Sequence, residues 1–172
     1  MTTIVREQRA AAPTRWTVDR DRTFVDFAVK TFWGLTTVRG RFDRLDGSYE
    51  VGPDRAKIEL TIDADSLETG NGTRDRHLRS TDFFDVAEHP QVRFTSTRLR
   101  NADDEVLRVE GYLEAAGKVV PLEFDATVQK LDESLEIEAT TAVDQRQLGM
   151  SSGPLGMIRR PTALHVKARL NR

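Results

Sequence analysis

Hydrophobic residues recur at every second position through most of the chain, the period that sends successive side chains to opposite faces of a strand. Within 23–30, Val25, Phe27 and Val29 share a face, and within 57–62, Ile58, Leu60 and Ile62 alternate with Lys57, Glu59 and Thr61. The pattern continues through Val92, Phe94 and Ser96, through Leu107, Val109, Gly111 and Leu113, and through Val120, Leu122, Phe124, Ala126 and Val128. It closes with Leu135, Ile137, Ala139, Thr141 and Val143, then with Leu164, Val166, Ala168 and Leu170. A strand in two parts, Val38 to Phe42 and Leu45 to Val51, carries Gly40 and Gly47 as expected bends or bulges. Turn sequences separate these runs at Gly52-Pro53-Asp54, Asn101 to Asp104 and Ala116-Gly117. The prediction is an all-β chain of roughly eight antiparallel strands, a number at which a closed barrel can hold one small ligand.

Two regions break the alternation. Residues 1–14 show neither the strand nor the helix period and read as a flexible arm, with one barrel domain over 15–172. Residues Thr73 to Ser80, rich in Arg, suit a short helix capped by Thr73, and the insertion runs on through Phe83-Phe84 to Pro90. It is long enough to lie across one end of a barrel, with Leu78, Phe83 and Phe84 turned inward and Arg74, Arg76 and Arg79 facing water or an anionic surface.

The inward rows carry small residues near their middles: Ser96, Gly111, Ala126, Ala139, Thr141 and Ala168. Small and large residues can alternate simply to satisfy the taper of a solid barrel. They can also leave an apolar lumen. In that case the inward candidates for ligand contact are Phe27, Val29, Phe42, Leu60, Ile62, Phe94, Gly111, Leu113, Leu122, Phe124, Ala126 and Ala139. Phe32, Trp33, Leu78, Phe83, Phe84, Met150 and Met157 join them from the ends, where they could equally act as plugs; a flexible Met adapts to a variable ligand.

Composition removes several alternatives. With 26 Lys and Arg against 28 Asp and Glu, a net charge of −2 gives no steering toward nucleic acid. The absence of Cys excludes disulfides, thiolate metal sites and a Cys nucleophile. The first residues contain no signal-peptide run and no later stretch is of membrane-spanning length, so the chain is expected to be cytoplasmic. His77, His89 and His165 lack metal-site spacing, and Asp63 and Asp65 read as turn and cap formers. No catalytic or metal-ligating residue is assigned and no cofactor is required; a lipid- or quinone-modifying enzyme and a solid scaffold barrel are the competing function classes.

Phe27 to Lys30 followed by Phe32-Trp33-Gly34-Leu35 and Val38 to Phe42 resembles the opening of YceI-like proteins. Ile62-Asp63-Ala64-Asp65-Ser66-Leu67-Glu68-Thr69-Gly70-Asn71, then Arg74 to Ser80, Asp82 to Val86 and His89-Pro90, is similar to that family's most characteristic stretch. Thr31 stands where many relatives have His, and Glu114 to Pro121 departs from the usual wording of its hairpin. The resemblance implies an extended lipocalin-like barrel that binds polyisoprenoids, including isoprenoid quinones. It also implies a homodimer. With no stretch long enough to span a bilayer, at most transient membrane-surface contact is expected.

Overall fold

In the computed structural model, residues 12–151, 158 and 161–172 are described. Residues 1–11 of the expected arm, and Met157, lie outside them. The strands are β1 (Thr14–Val18), β2 (Phe24–Thr31), β3 (Thr36–Phe42), β4 (Leu45–Val51), β5 (Ala56–Asp63), β6 (Gln91–Asp103), β7 (Val106–Ala115), β8 (Lys118–Leu131), β9 (Ser134–Val143) and β10 (Thr162–Asn171). One short helix, α1 (Gly72–Arg79), lies between β5 and β6.

All ten strands belong to one antiparallel sheet that closes on itself. They occupy eight lanes, because β1 and β2 run end to end in one lane and β3 and β4 in the next. Thr14 to Thr17 pair with Val51 to Ser48, and Val25 to Thr31 pair with Phe42 to Thr36. The break between β1 and β2 is a single tight turn over Arg20–Arg22, whose N-terminal N–H at Asp21 is accepted by the Asp19 carboxylate. Closure falls on β10, which pairs with β9 on one side and with β2 and then β1 on the other. At the break, the Arg169 N–H donates to the buried Thr23 hydroxyl at 3.1 Å and the Asp19 N–H donates to the Arg169 carbonyl at 2.7 Å. The seam therefore carries few unmet backbone groups, the condition for burying a sheet edge.

The alternation follows the expected register: Val25, Phe27, Val92, Phe94, Leu107, Val109, Leu113, Ala126, Ala139 and Leu170 are all buried. The outer face is laced by exposed cross-strand pairs such as Arg108 with Asp125 and His165 with Glu138. Hydrogen bonding from Arg108 lowers the Asp125 carboxyl, and hydrogen bonding from His165 lowers Glu138.

Beyond Ala28, where β2 leaves β10, the β2–β3 hairpin runs on past the ring, and the segment 64–90 fills the opening. Glu68 stitches it to the free edge of β3 by reciprocal backbone hydrogen bonds with Arg41, each 2.9 Å. Helix α1 begins one residue earlier than expected and its cap is Asn71, not Thr73: the Asn71 carbonyl side chain accepts the Arg74 N–H at 3.0 Å. Asp75 is buried against the helix start, accepting from the Thr69 N–H and hydroxyl. Arg74 and Arg79 do not face water as expected. Arg74 binds the Thr69 hydroxyl and carbonyl, and Arg79 binds the carbonyls of Asp65 and Leu67, because those turn carbonyls lack ladder partners. Arg76 is the exposed arginine of the helix, and His77 beside it is also exposed.

Gly40, Gly47 and Gly111 are places of close approach. A Cβ on Gly40 or Gly111 would run into the ring of Phe27 or Phe94, and one on Gly47 would run into the Glu59 carbonyl. Gly111→Ala is expected to lower stability by about 1–3 kcal/mol, since the added carbon would lie against the Thr95 carbonyl and 2.7 Å from Phe94. Denaturant unfolding measures it, and an unchanged midpoint would place open space beside Gly111.

Candidate functional site

The barrel interior contains an apolar cavity of about 110 Å³ along its axis. On β5 to β8 it is walled by Ile58, Leu60, Ile62, Phe94, Leu113, Leu122, Phe124 and Ala126. On β9, β10 and the first strands it is walled by Ile137, Ala139, Thr141, Leu164, Val166, Ala168, Leu170, Val18, Val25 and Tyr49. Ile58, Leu60, Leu122, Phe124, Ile137, Leu164 and Val166 pack on the core yet are only partly buried, because each also borders this space. A solid barrel would bury them fully.

The volume is made by small residues on three adjacent strands. Ala126 pairs with Ala139, Ala139 with Val166, and Ala168 with Ile137. Beside them, from β6 and β8, Phe94 and Phe124 meet at 5.4 Å between ring centroids. Ser48, Tyr49, Glu59 and Thr141 are the polar residues of the lining, and the Glu59 carboxylate is taken by Lys57 on the outer face. Burial raises the Tyr49 phenol, which keeps it neutral. The cavity thus offers dispersion and desolvation with no fixed charge.

A second cavity, of about 80 Å³, lies toward the end covered by segment 64–90. It is lined by Phe42, Phe84, Val92, Ala115, Val143, Leu148 and Met150, and it shares Val25, Ile62, Leu113 and Leu164 with the first. Those four side chains form a waist between the two cavities. Phe84 reaches across the end and meets Phe42 edge-on at 5.4 Å. The Ser151 N–H donates to the Asp82 carbonyl at 2.7 Å and ties the covering segment to the stretch after β9.

Of the residues expected to meet a ligand, Leu60, Ile62, Phe94, Leu113, Leu122, Phe124, Ala126 and Ala139 line the main cavity, and Phe42, Phe84 and Met150 line the second. Gly111 lines neither, because the Phe94 ring covers it. Ser96 likewise gives no width; its hydroxyl accepts the Ile58 N–H at 2.8 Å, where the β5–β6 ladder ends. Phe27 lies on Gly40 and lines a separate, more polar cleft with Arg39, Arg41 and Glu68. Phe83 is buried against His77, Leu78 packs on the core from α1, and Val29 faces Val38 on the flared hairpin. Phe32 and Trp33 stand outside the lumen, 48% and 53% exposed, where the hairpin turns away.

Tyr49 and Val18 also line the cavity without a clear signal in the sequence, since β1 is only five residues long and Gly47-Ser48-Tyr49 obscures the alternation in β4. Ile137, Leu164, Val166 and Ala168 were already placed inward by the period of two, the signal that identifies them as lining. Among the described residues no cluster of three or more His, Asp and Glu could hold a metal ion.

A profile described as the YceI-like domain matches residues 16–170. The chain belongs to the YceI-like family. A UPF0312 protein of Pectobacterium carotovorum is 34% identical over 119 residues, covering 67% of this chain and 61% of that protein. A protein of Salmonella arizonae named YceI is 33% identical over 122 residues, covering 68% of this chain and 63% of its own length. The match therefore spans less than two thirds of these relatives. Among solved structures, BcnA of Burkholderia cenocepacia superposes with a TM-score of 0.75 at 19% identity, covering 89% of this chain and 98% of that one. A polyisoprenoid binding domain from Saccharophagus degradans gives 0.74 at 17% identity, covering 91% and 97%. The fold is thus the lipocalin-like barrel of YceI-like proteins.

Phe84→Ala is expected to open the covered end of this YceI-like lumen, at a stability cost of about 2–4 kcal/mol for a partly buried ring. Stopped-flow uptake of an apolar fluorescent dye reads the opening, and uptake no faster than in the parent would mean that Phe84 closes nothing.

Proposed function

We propose that this barrel holds the chain of a long isoprenoid lipid, a polyisoprenoid or an isoprenoid quinone, and stores or carries it without transforming it. The observation that carries this reading is the row of inward but incompletely buried apolar side chains around the 110 Å³ cavity. The polyisoprenoid-binding designation of the Saccharophagus degradans neighbour supports it.

A lumen of this chemistry selects by shape and desolvation. Burying a CH₂-like unit is worth about 0.8 kcal/mol, so roughly forty carbons would formally give about 30 kcal/mol. Noncovalent binding saturates near 18 to 21 kcal/mol, and about 0.3 kcal/mol per heavy atom brings the expectation to roughly 12 kcal/mol. Affinity at that level needs no charged group. The cavity is smaller than typical ligand pockets, which occupy about 300–1,000 Å³. A long chain accordingly binds by spreading the apolar lining and parting the waist at Val25, Ile62, Leu113 and Leu164, so that the two compartments merge and widen. Branched aliphatic side chains at the waist part at little polar cost, since no hydrogen bond has to break there.

Native mass spectrometry of protein purified without detergent, followed by solvent extraction, tests this reading. The expected result is a bound isoprenoid lipid recovered chemically unchanged. Ala139→Leu should keep cooperative unfolding while lowering retention at least tenfold, about 1.4 kcal/mol, because the larger side chain fills cavity volume. Protein without affinity for added isoprenoids would favour a scaffold, and altered lipid would favour an enzyme.

A further inference from the structure

The hairpin between β2 and β3 ends in Phe32, Trp33, Gly34 and Leu35, and its three large apolar side chains are 48%, 53% and 85% exposed. They line neither cavity of the lumen, so holding a lipid there does not account for them. Single exposed apolar residues are ordinary, but a group of them at one apex marks an interaction surface. The backbone is also unusual. Phe32, Trp33 and Gly34 have φ of 49°, 56° and 96°, a region that bulky aromatic residues seldom adopt. The Thr31 and Thr36 hydroxyls share a hydrogen bond of 2.6 Å below the apex, and the Leu35 N–H donates to the Phe32 carbonyl at 3.2 Å. Strain of this kind, kept where it presents side chains to solvent, points to function.

Charge narrows the partner. From Phe27 to Phe42 the chain carries Lys30, Arg39 and Arg41 and no acidic residue. Arg41 is engaged by Asp26 through hydrogen bonds of 2.5 and 2.9 Å. Lys30 and Arg39 have no ion-pair partner among the described residues. Lys30 opposes Thr37 and Arg39 opposes Ala28, which puts the two cations on one face as diagonal neighbours just below the aromatic apex.

The geometry points to the β2–β3 apex as a wedge that docks this protein on an anionic lipid bilayer. Phe32, Trp33 and Leu35 enter the interfacial layer, where Trp is favoured, while Lys30 and Arg39 meet lipid phosphates. A projecting apex has no groove for a rigid partner but suits a deformable surface. Shallow insertion combined with basic residues gives reversible attachment. The wedge also places the lumen beside the bilayer: Phe27, on the same hairpin, meets Phe42 at 5.5 Å, and Phe42 meets Phe84 at the covered end. As a route for cargo this rests on the lipid-holding reading; the docking itself does not.

The test uses the full chain stripped of lipid, with vesicles of mixed phosphatidylglycerol and phosphatidylcholine and vesicles of phosphatidylcholine alone. The chain is expected to sediment with the anionic vesicles, less so as salt screens the cations. In a Trp16→Phe background Trp33 is the remaining Trp, and its emission should shift to the blue on binding. If that background fails to fold, sedimentation of the unmodified chain still decides. Replacing Lys30 and Arg39 by Gln should lower partitioning about thirty-fold, and Phe32→Ser with Trp33→Ser should abolish it. Equal partitioning of parent and apex variants overturns the proposal, as does unchanged Trp33 emission. So does a parent dimer, by light scattering, that the Ser variant turns into a monomer, since the apex would then be a contact between two copies. Vesicle binding by a stripped chain that takes up no added isoprenoid would retire the lumen reading and leave the wedge standing.

Discussion

β10 takes hydrogen bonds from β9 along one edge and from β2 and β1 in turn along the other, and the interior exists because both edges are used. Eight lanes fix the width of that interior. The price of running β1 and β2 along one lane is the break at Arg20–Arg22, which Thr23, Asp19 and Arg169 satisfy with hydrogen bonds. At the other end β3 flares from the ring, and its free edge takes Glu68 in place of a ninth strand. The covering segment is therefore part of the solution to an edge problem, and its position over the lumen follows from where that edge lies.

Given a fixed width, side-chain size decides whether the centre is solid. Phe94 and Phe124 fill space from β6 and β8, while Ala126, Ala139 and Ala168 leave volume along β8 to β10. Apolar space that water solvates poorly is a store of binding free energy for an apolar ligand. The waist residues divide that space and make the lumen responsive, since a chain that parts them gains burial on both sides. With Tyr49 kept neutral and Glu59 turned outward, no fixed charge sets the orientation of a guest.

Strand positions and inward faces were legible because the period of two holds within β2 and within β5 to β10, and a slip by one residue would have exposed every core side chain. The lining of β8 to β10 followed directly. Other features depend on backbone geometry that the pattern does not encode. Small residues look alike in sequence, yet Ala139 borders a cavity, Gly111 lies under a ring and Ser96 ends a ladder. Phe32 and Trp33 read as candidates for the lumen because they are aromatic, but positive φ at both carries them outside. Thr73 was the expected helix cap, but Asn71 takes that role, since either side-chain oxygen can accept a backbone N–H. The arginines of α1 were read as surface charge, whereas Arg74 and Arg79 hold the turn that closes the barrel.

The central claim, an isoprenoid chain lying in this lumen, is tested most directly by nuclear Overhauser contacts between labelled side-chain methyls and a bound isoprenoid. The account predicts contacts from the methyls of Leu60, Leu122, Ile137 and Val166, together with Leu164 and Ile62 at the parted waist. Contacts confined to the hairpin apex or the outer face of the sheet, with the lumen methyls unperturbed, would contradict it.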